Sequence, residues 1–121
     1  MITKMATVAI YVDDQKAAVE FWTKLVGFEV RTTRALGAVG SWIEIAPPGA
    51  ESCLVLYPKA LLPDWAERKP SIVFECDDVY ATVAAMKSRG VRFSQEPREM
   101  QWEPFAAFLD NEGFEHGLRR R

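Results

Sequence analysis

One histidine, His116, and two cysteines, Cys53 and Cys76, are all the imidazole and thiol side chains that 121 residues hold. Two cysteines cannot build a disulfide framework. Both fall in apolar, strand-like runs and are expected to be buried thiols of a reducing compartment. Long apolar runs are also missing: none approaches the roughly 20 residues that span a bilayer. The opening residues, MITKMATVAIYVDD, lack a basic flank, a long apolar stretch and a small-residue cleavage site, so no secretory leader is expected. An excess of positive charge is missing as well. The net charge is −2, and three of the fifteen basic residues are Arg119, Arg120 and Arg121, which read as a solvated tail. Such a balance repels a phosphate backbone. The expectation is a cytoplasmic protein with neither a nucleic-acid nor a membrane partner.

What is present suits one compact domain over residues 1–121: 49% hydrophobic and 26% charged residues. The sequence also contains itself twice. TVAIYVDDQKAAV from Thr7 aligns with SIVFECDDVYATV from Ser71 at a constant offset of 64 residues, with Asp13/Asp77, Asp14/Asp78, Ala17/Ala81 and Val19/Val83 identical. In each copy an alternating strand leads to an Asp pair, then a helical stretch ends at glycine. Val8, Ile10 and Val12 take one face of the first strand; Thr7, Ala9 and Tyr11 take the other. Asp14 and Asp78 suit the N-cap, where a carboxylate accepts otherwise unpartnered backbone N–H groups. Ala18, Phe21, Trp22 and Leu25 give the first helix an apolar face, as Val79, Val83 and Met86 do the second. Gly27 and Gly90 permit a left-handed stop.

Helices are thus expected near 14–26 and 78–89. Short strands follow near 28–34, 41–46 and 53–57 in the first half, and near 91–94, 100–103 (weakly), 105–109 and 114–118 in the second. Each half reads β-α-β-β-β. The repeats cover about 5–57 and 70–118, with the proline-bracketed connector 58–69 between them.

Two such units resemble the vicinal oxygen chelate superfamily, which includes glyoxalase I, extradiol dioxygenases and the bleomycin-resistance proteins. The resemblance rests on VAIYVDDQKAAVEFWTKLVGFEV, IVFECDDV and FLDNEGFEHGL, and it covers nearly the whole chain. It implies an α+β fold in which two βαβββ units form a concave mixed sheet, commonly closed by pairing into a homodimer. In metal-dependent members the ligand positions would fall on Thr7, Ser71, Glu44 and Gly117. Of these, only Glu44 carries a side chain of the expected type, so no metal and no other cofactor is expected. His116 lies one residue from the last position, which on a strand means the opposite face. It is expected to pack or to point outward, away from the cavity.

The expected cavity face carries Thr7, Tyr11, Trp42 and Glu44 in the first half and Ser71, Glu75 and Glu115 in the second. Trp65 in the connector and Trp102 before Pro104 stand where an aromatic ring is unusual unless something stacks on it. Each tryptophan alone is as readily a core or interface residue. Together they favour a site for a flat, largely apolar ligand, with the carboxylates selecting a cationic or hydrogen-bond-donating group. The resemblance then implies a small-molecule binding protein that sequesters an aromatic or cationic natural product, in the manner of drug resistance. The alternatives are a lyase, isomerase or dioxygenase using Glu44 and Glu115 at an atypical metal site, and a sensing or scaffolding module without chemistry.

Overall fold

The computed structural model describes residues 7–61, 72–100 and 103–120. The chain divides into two compact units, Met1–Pro70 and Ser71–Arg121. Each is built around a four-stranded mixed sheet.

In the first unit, strand β1 (Thr7–Val12) leads into helix α1 (Gln15–Glu20), and strands β2 (Glu29–Ala35), β3 (Ser41–Ala46) and β4 (Cys53–Pro58) follow. The sheet order is β1-β4-β3-β2, with β1 parallel to β4 and the other neighbours antiparallel. Asp14 caps α1 with its carboxylate, accepting from the Ala17 N–H at 3.0 Å. The helix then widens into a π-helical turn, Phe21–Val26, closed by Gly27 at φ 97°. Phe21 and Trp22 are both buried in this turn, and Trp22 has no exposed surface. Beneath the helix lie Ile10, Val12, Ile43, Ile45, Leu54 and Leu56, the alternate residues of three strands.

The second unit repeats the plan. Strand β5 (Val73–Cys76), helix α2 (Val79–Ser88) and strands β6 (Arg92–Met100), β7 (Glu103–Leu109) and β8 (Glu115–Arg120) form a sheet of order β5-β8-β7-β6. Asp78 caps α2 through the Ala81 N–H, as Asp14 caps α1. The core under α2 comprises Val79, Val83, Met86, Ala106, Phe108 and Leu118.

Two details depart from the sequence reading. The weak strand near 100–103 is not a separate element, because β6 runs unbroken to Met100. Pro97 is accommodated because β6 is an edge strand whose register against β7 slips between Gln95 and Arg98. Neither cysteine is fully buried: Cys53 and Cys76 are both free and half-buried.

Candidate functional site

Sheet pairing brings together side chains that are far apart in sequence. Tyr11 and Tyr57 are direct partners in the parallel β1–β4 pair, their rings edge-to-face with centroids 6.2 Å apart. Trp42, on β3, meets Tyr57 in a second edge-to-face contact at 6.0 Å. All three rings are half-buried, so each offers part of its surface to solvent. Edge-to-face packing sets the positive rim of one ring against the electron-rich face of the next, which holds the group without consuming every ring face.

Glu44 shares this face, since residues two apart on a strand point the same way. Its Oε2 accepts the indole Nε1–H of Trp42 at 2.8 Å. A carboxylate acceptor makes this a strong hydrogen bond, and it fixes the rotation of the indole. Thr7, another expected residue, and Ala9 lie along the same face of β1, opposite Cys53 and Val55. Tyr57 was not singled out in the sequence. The signal was available in the alternation of Cys53, Val55 and Tyr57 along β4, but only the β1–β4 register reveals its partner.

The corresponding face of the second unit is chemically different. Pairing register makes Val55 equivalent to Gly117, Tyr57 to Arg119 and Trp42 to Phe105. Where the first unit sets Tyr11 against Tyr57, the second sets Glu75 against Arg119 in an ion pair at 3.2 Å. Glu115 accepts the Ser94 hydroxyl at 2.6 Å. Of the three carboxylates expected to set a negative field, Glu75 is paired with a cation, while Glu44 and Glu115 are oriented by neutral donors that do not cancel their charge. Ser71, Trp65 and Trp102 lie outside the described residues.

The residues present do not fit the family's metal. A Cβ built on Gly117 would lie 2.8 Å from the Phe105 ring and 3.3 Å from Val73, so Phe105 fills the place of a side chain there. Thr7 offers a neutral hydroxyl, and the Glu44 carboxylate holds Trp42. Among the described residues, no three His, Cys, Asp or Glu side chains gather where one ion could be held.

His116 faces away from Gly117, as the alternation of β8 requires, and it packs inside the second unit. It is 1% exposed, and its Nε2 lies 2.8 Å from Oδ2 of the buried Asp110. The other carboxylate oxygen, Oδ1, accepts the backbone N–H groups of Glu112 and Phe114. The imidazole lies beside Phe108 and Phe74, at 5.4 and 6.1 Å between centroids. His116 is thus a core residue that braces the turn before β8.

A surface pocket of about 260 Å³ opens at the start of α2, lined by Asp77, Asp78, Tyr80, Glu99, Pro104 and Arg120. The Tyr80 phenol is held above its ordinary range by local desolvation, by its hydrogen bond to Glu99 and by that carboxylate's charge.

Similarity to known proteins follows the fold. Residues 4–116 match the Glyoxalase/Bleomycin resistance protein/Dioxygenase superfamily. YetH, an uncharacterized protein of Bacillus subtilis (strain 168), is 47% identical over 113 residues, which is 93% of this chain and 94% of that protein. A superfamily member from Sphaerobacter thermophilus DSM 20745 superposes with a TM-score of 0.88 at 26% identity, covering 99% of this chain and 98% of its own. TnmS3, an antibiotic binding protein from Streptomyces sp. CB03234, does so with a TM-score of 0.83 at 30% identity, covering 98% and 96%. With its duplicated βαβββ units and this match along nearly its whole length, the chain belongs to the glyoxalase/bleomycin resistance protein/dioxygenase superfamily.

Proposed function

We propose that this chain is a small-molecule binding protein that sequesters a planar aromatic natural product on the Tyr11–Tyr57–Trp42 face, without chemical turnover. The carrying observation is the aromatic group itself. Its three rings are preassembled by sheet pairing, and Glu44 locks the indole orientation. Preorganised rings lose little conformational freedom on binding, which favours affinity by enclosure and stacking. The similarity to TnmS3, an antibiotic binding protein, supports the same reading. The carboxylates expected to attract a cation are engaged with neighbours, so stacking dominates. We further propose that the protein acts as a homodimer. Exposed apolar side chains at Val30, Leu36, Val39 and Val73 supply surface that a second copy could cover.

The test is a tryptophan-quenching titration with planar polycyclic ligands, repeated by calorimetry. Loss of one stacked ring costs about 1–3 kcal/mol, so Trp42→Ala and Tyr57→Ala should each weaken binding roughly five- to 150-fold. Conversion of any such ligand at a rate proportional to protein concentration would refute the reading, as would unchanged affinity in both variants.

A further inference from the structure

Every charged side chain on the aromatic face of the first unit can be followed to a partner except one. Glu44 is engaged by the Trp42 indole. Glu29, opposite Ala46 at the far end of β2, takes the Nε–H of Arg31, whose terminal nitrogens donate to the Pro47 and Ala50 carbonyls. Arg34 remains. It stands directly across from Trp42 in the antiparallel β2–β3 pair, so the two side chains leave the sheet on the same side. It is exposed, on the edge strand, and its side chain makes no hydrogen bond or ion pair with another described residue.

We infer that Arg34 is the specificity-determining residue of this face and that the ligand is an acidic planar aromatic, bearing a carboxylate or an ionised phenol at its edge. The inference rests on the proposed aromatic site and adds its charge preference. A guanidinium stays charged at any working pH and offers a planar fork of N–H donors that matches a carboxylate. From a position beside the indole it reaches the rim of a ring system stacked on Trp42, while its stem lies along the same surface. The indole N–H orients Glu44 without cancelling its charge, so what sets Arg34 apart is that its donor fork is not engaged by a neighbour, although the chain as a whole is acidic. A cationic group placed at the Arg34 edge of the indole would be repelled by this guanidinium, whereas an anionic one gains a charge-assisted contact there.

The experiment uses matched pairs of carboxylic acid and carboxamide on naphthalene, anthracene and anthraquinone scaffolds, titrated by calorimetry and by fluorescence against the intact chain. At neutral pH the wild type should bind the acid of a pair about tenfold more tightly than the amide, as expected for one charge-assisted contact. Arg34→Gln should abolish that preference with amide affinity unchanged, and Arg34→Glu should reverse it. Arg92→Gln removes the same charge from the edge strand of the other unit and should preserve the preference. Equal binding of acid and amide by the wild type, or a preference that survives Arg34→Gln, overturns the inference and leaves the aromatic site standing. If no member of any pair binds, the aromatic site is itself overturned and the inference falls with it.

Discussion

In the sequence, His116 sits between Glu115 and Gly117 with nothing local to say which neighbour it serves. Alternation along β8 was enough to send it to the face opposite Gly117, and the fold agrees. What alternation could not supply was its partner, because Asp110 meets it only after the Asp110–Phe114 turn has folded back. Asp110 holds that turn through two backbone N–H groups and His116 through its second oxygen, all at a site with 3% exposure. Removing the carboxylate takes away the acceptor of the Glu112 and Phe114 N–H groups and the partner of the His116 ring, and loss of each such contact costs about 1–3 kcal/mol. Asp110→Ala should therefore destabilise the protein by about 3 kcal/mol or more, read as a lower urea midpoint at unchanged slope. Asp110→Asn retains an acceptor for the turn and a polar atom for the ring, and should cost clearly less. Equal losses would mean that the packing of the turn matters more than its hydrogen bonds. Glu44 illustrates the opposite limit. As a residue type on a strand it reads as a free carboxylate, and only the side-chain geometry along β3 shows it bonded to Trp42, two residues away.

At the level of elements, caps and periodicity carried most of the information. The Asp-Asp pairs, the glycine stops and the alternating strands located both helices and the first-half strands, because those signals are local in sequence. Three features were out of reach. The π-helical turn at Phe21–Val26 depends on burying Phe21 and Trp22 together, which is a tertiary demand. The passage of β6 through Pro97 depends on its being an edge strand, a property of topology. The join between α1 and the sheet is a third such feature. Gln15 Nε2 donates to the Ser41 and Leu56 carbonyls at 2.5 and 2.8 Å, while its Oε1 accepts the Ser41 N–H at 2.9 Å. The closeness of this clamp explains Gly40, where an added Cβ would lie 2.6 Å from Gln15 Oε1 and 2.8 Å from Pro58 Cγ. Gly40→Ala should cost about 1–3 kcal/mol through overpacking. In combination with Gln15→Ala it should cost less than the sum of the single changes, since the obstructing amide is gone. Strict additivity in a denaturation cycle would place the strain on the backbone or Pro58 instead.

Across the whole molecule, duplication preserved the scaffold while the two sheet faces diverged. Helix-side positions remain apolar in both units: Leu56 corresponds to Leu118 and Ile43 to Ala106. On the opposite face Tyr11, Tyr57 and Trp42 correspond to Glu75, Arg119 and Phe105, so a ring pair in one unit stands where the other has an ion pair. The repeat was legible in the aligned Asp pairs, but this divergence was not, because it requires the strand register. Its consequence, among the described residues, is a chain in which the Tyr11–Tyr57–Trp42 group has no equivalent on the second unit's face. A planar ligand should therefore bind with a stoichiometry of one per chain, or two per assembly if light scattering gives the mass of a dimer. The exposed Glu75–Arg119 pair contributes little to stability, on the order of 1 kcal/mol or less, so Glu75→Gln with Arg119→Gln should leave the fold intact. That double change should also leave the stoichiometry and affinity for the ligand nearly unaltered, whereas Tyr57→Ala alone should depress affinity. Two equivalent sites per chain by calorimetry, or a ligand lost with the Glu75–Arg119 pair and retained without Tyr57, would place recognition on the second unit's face.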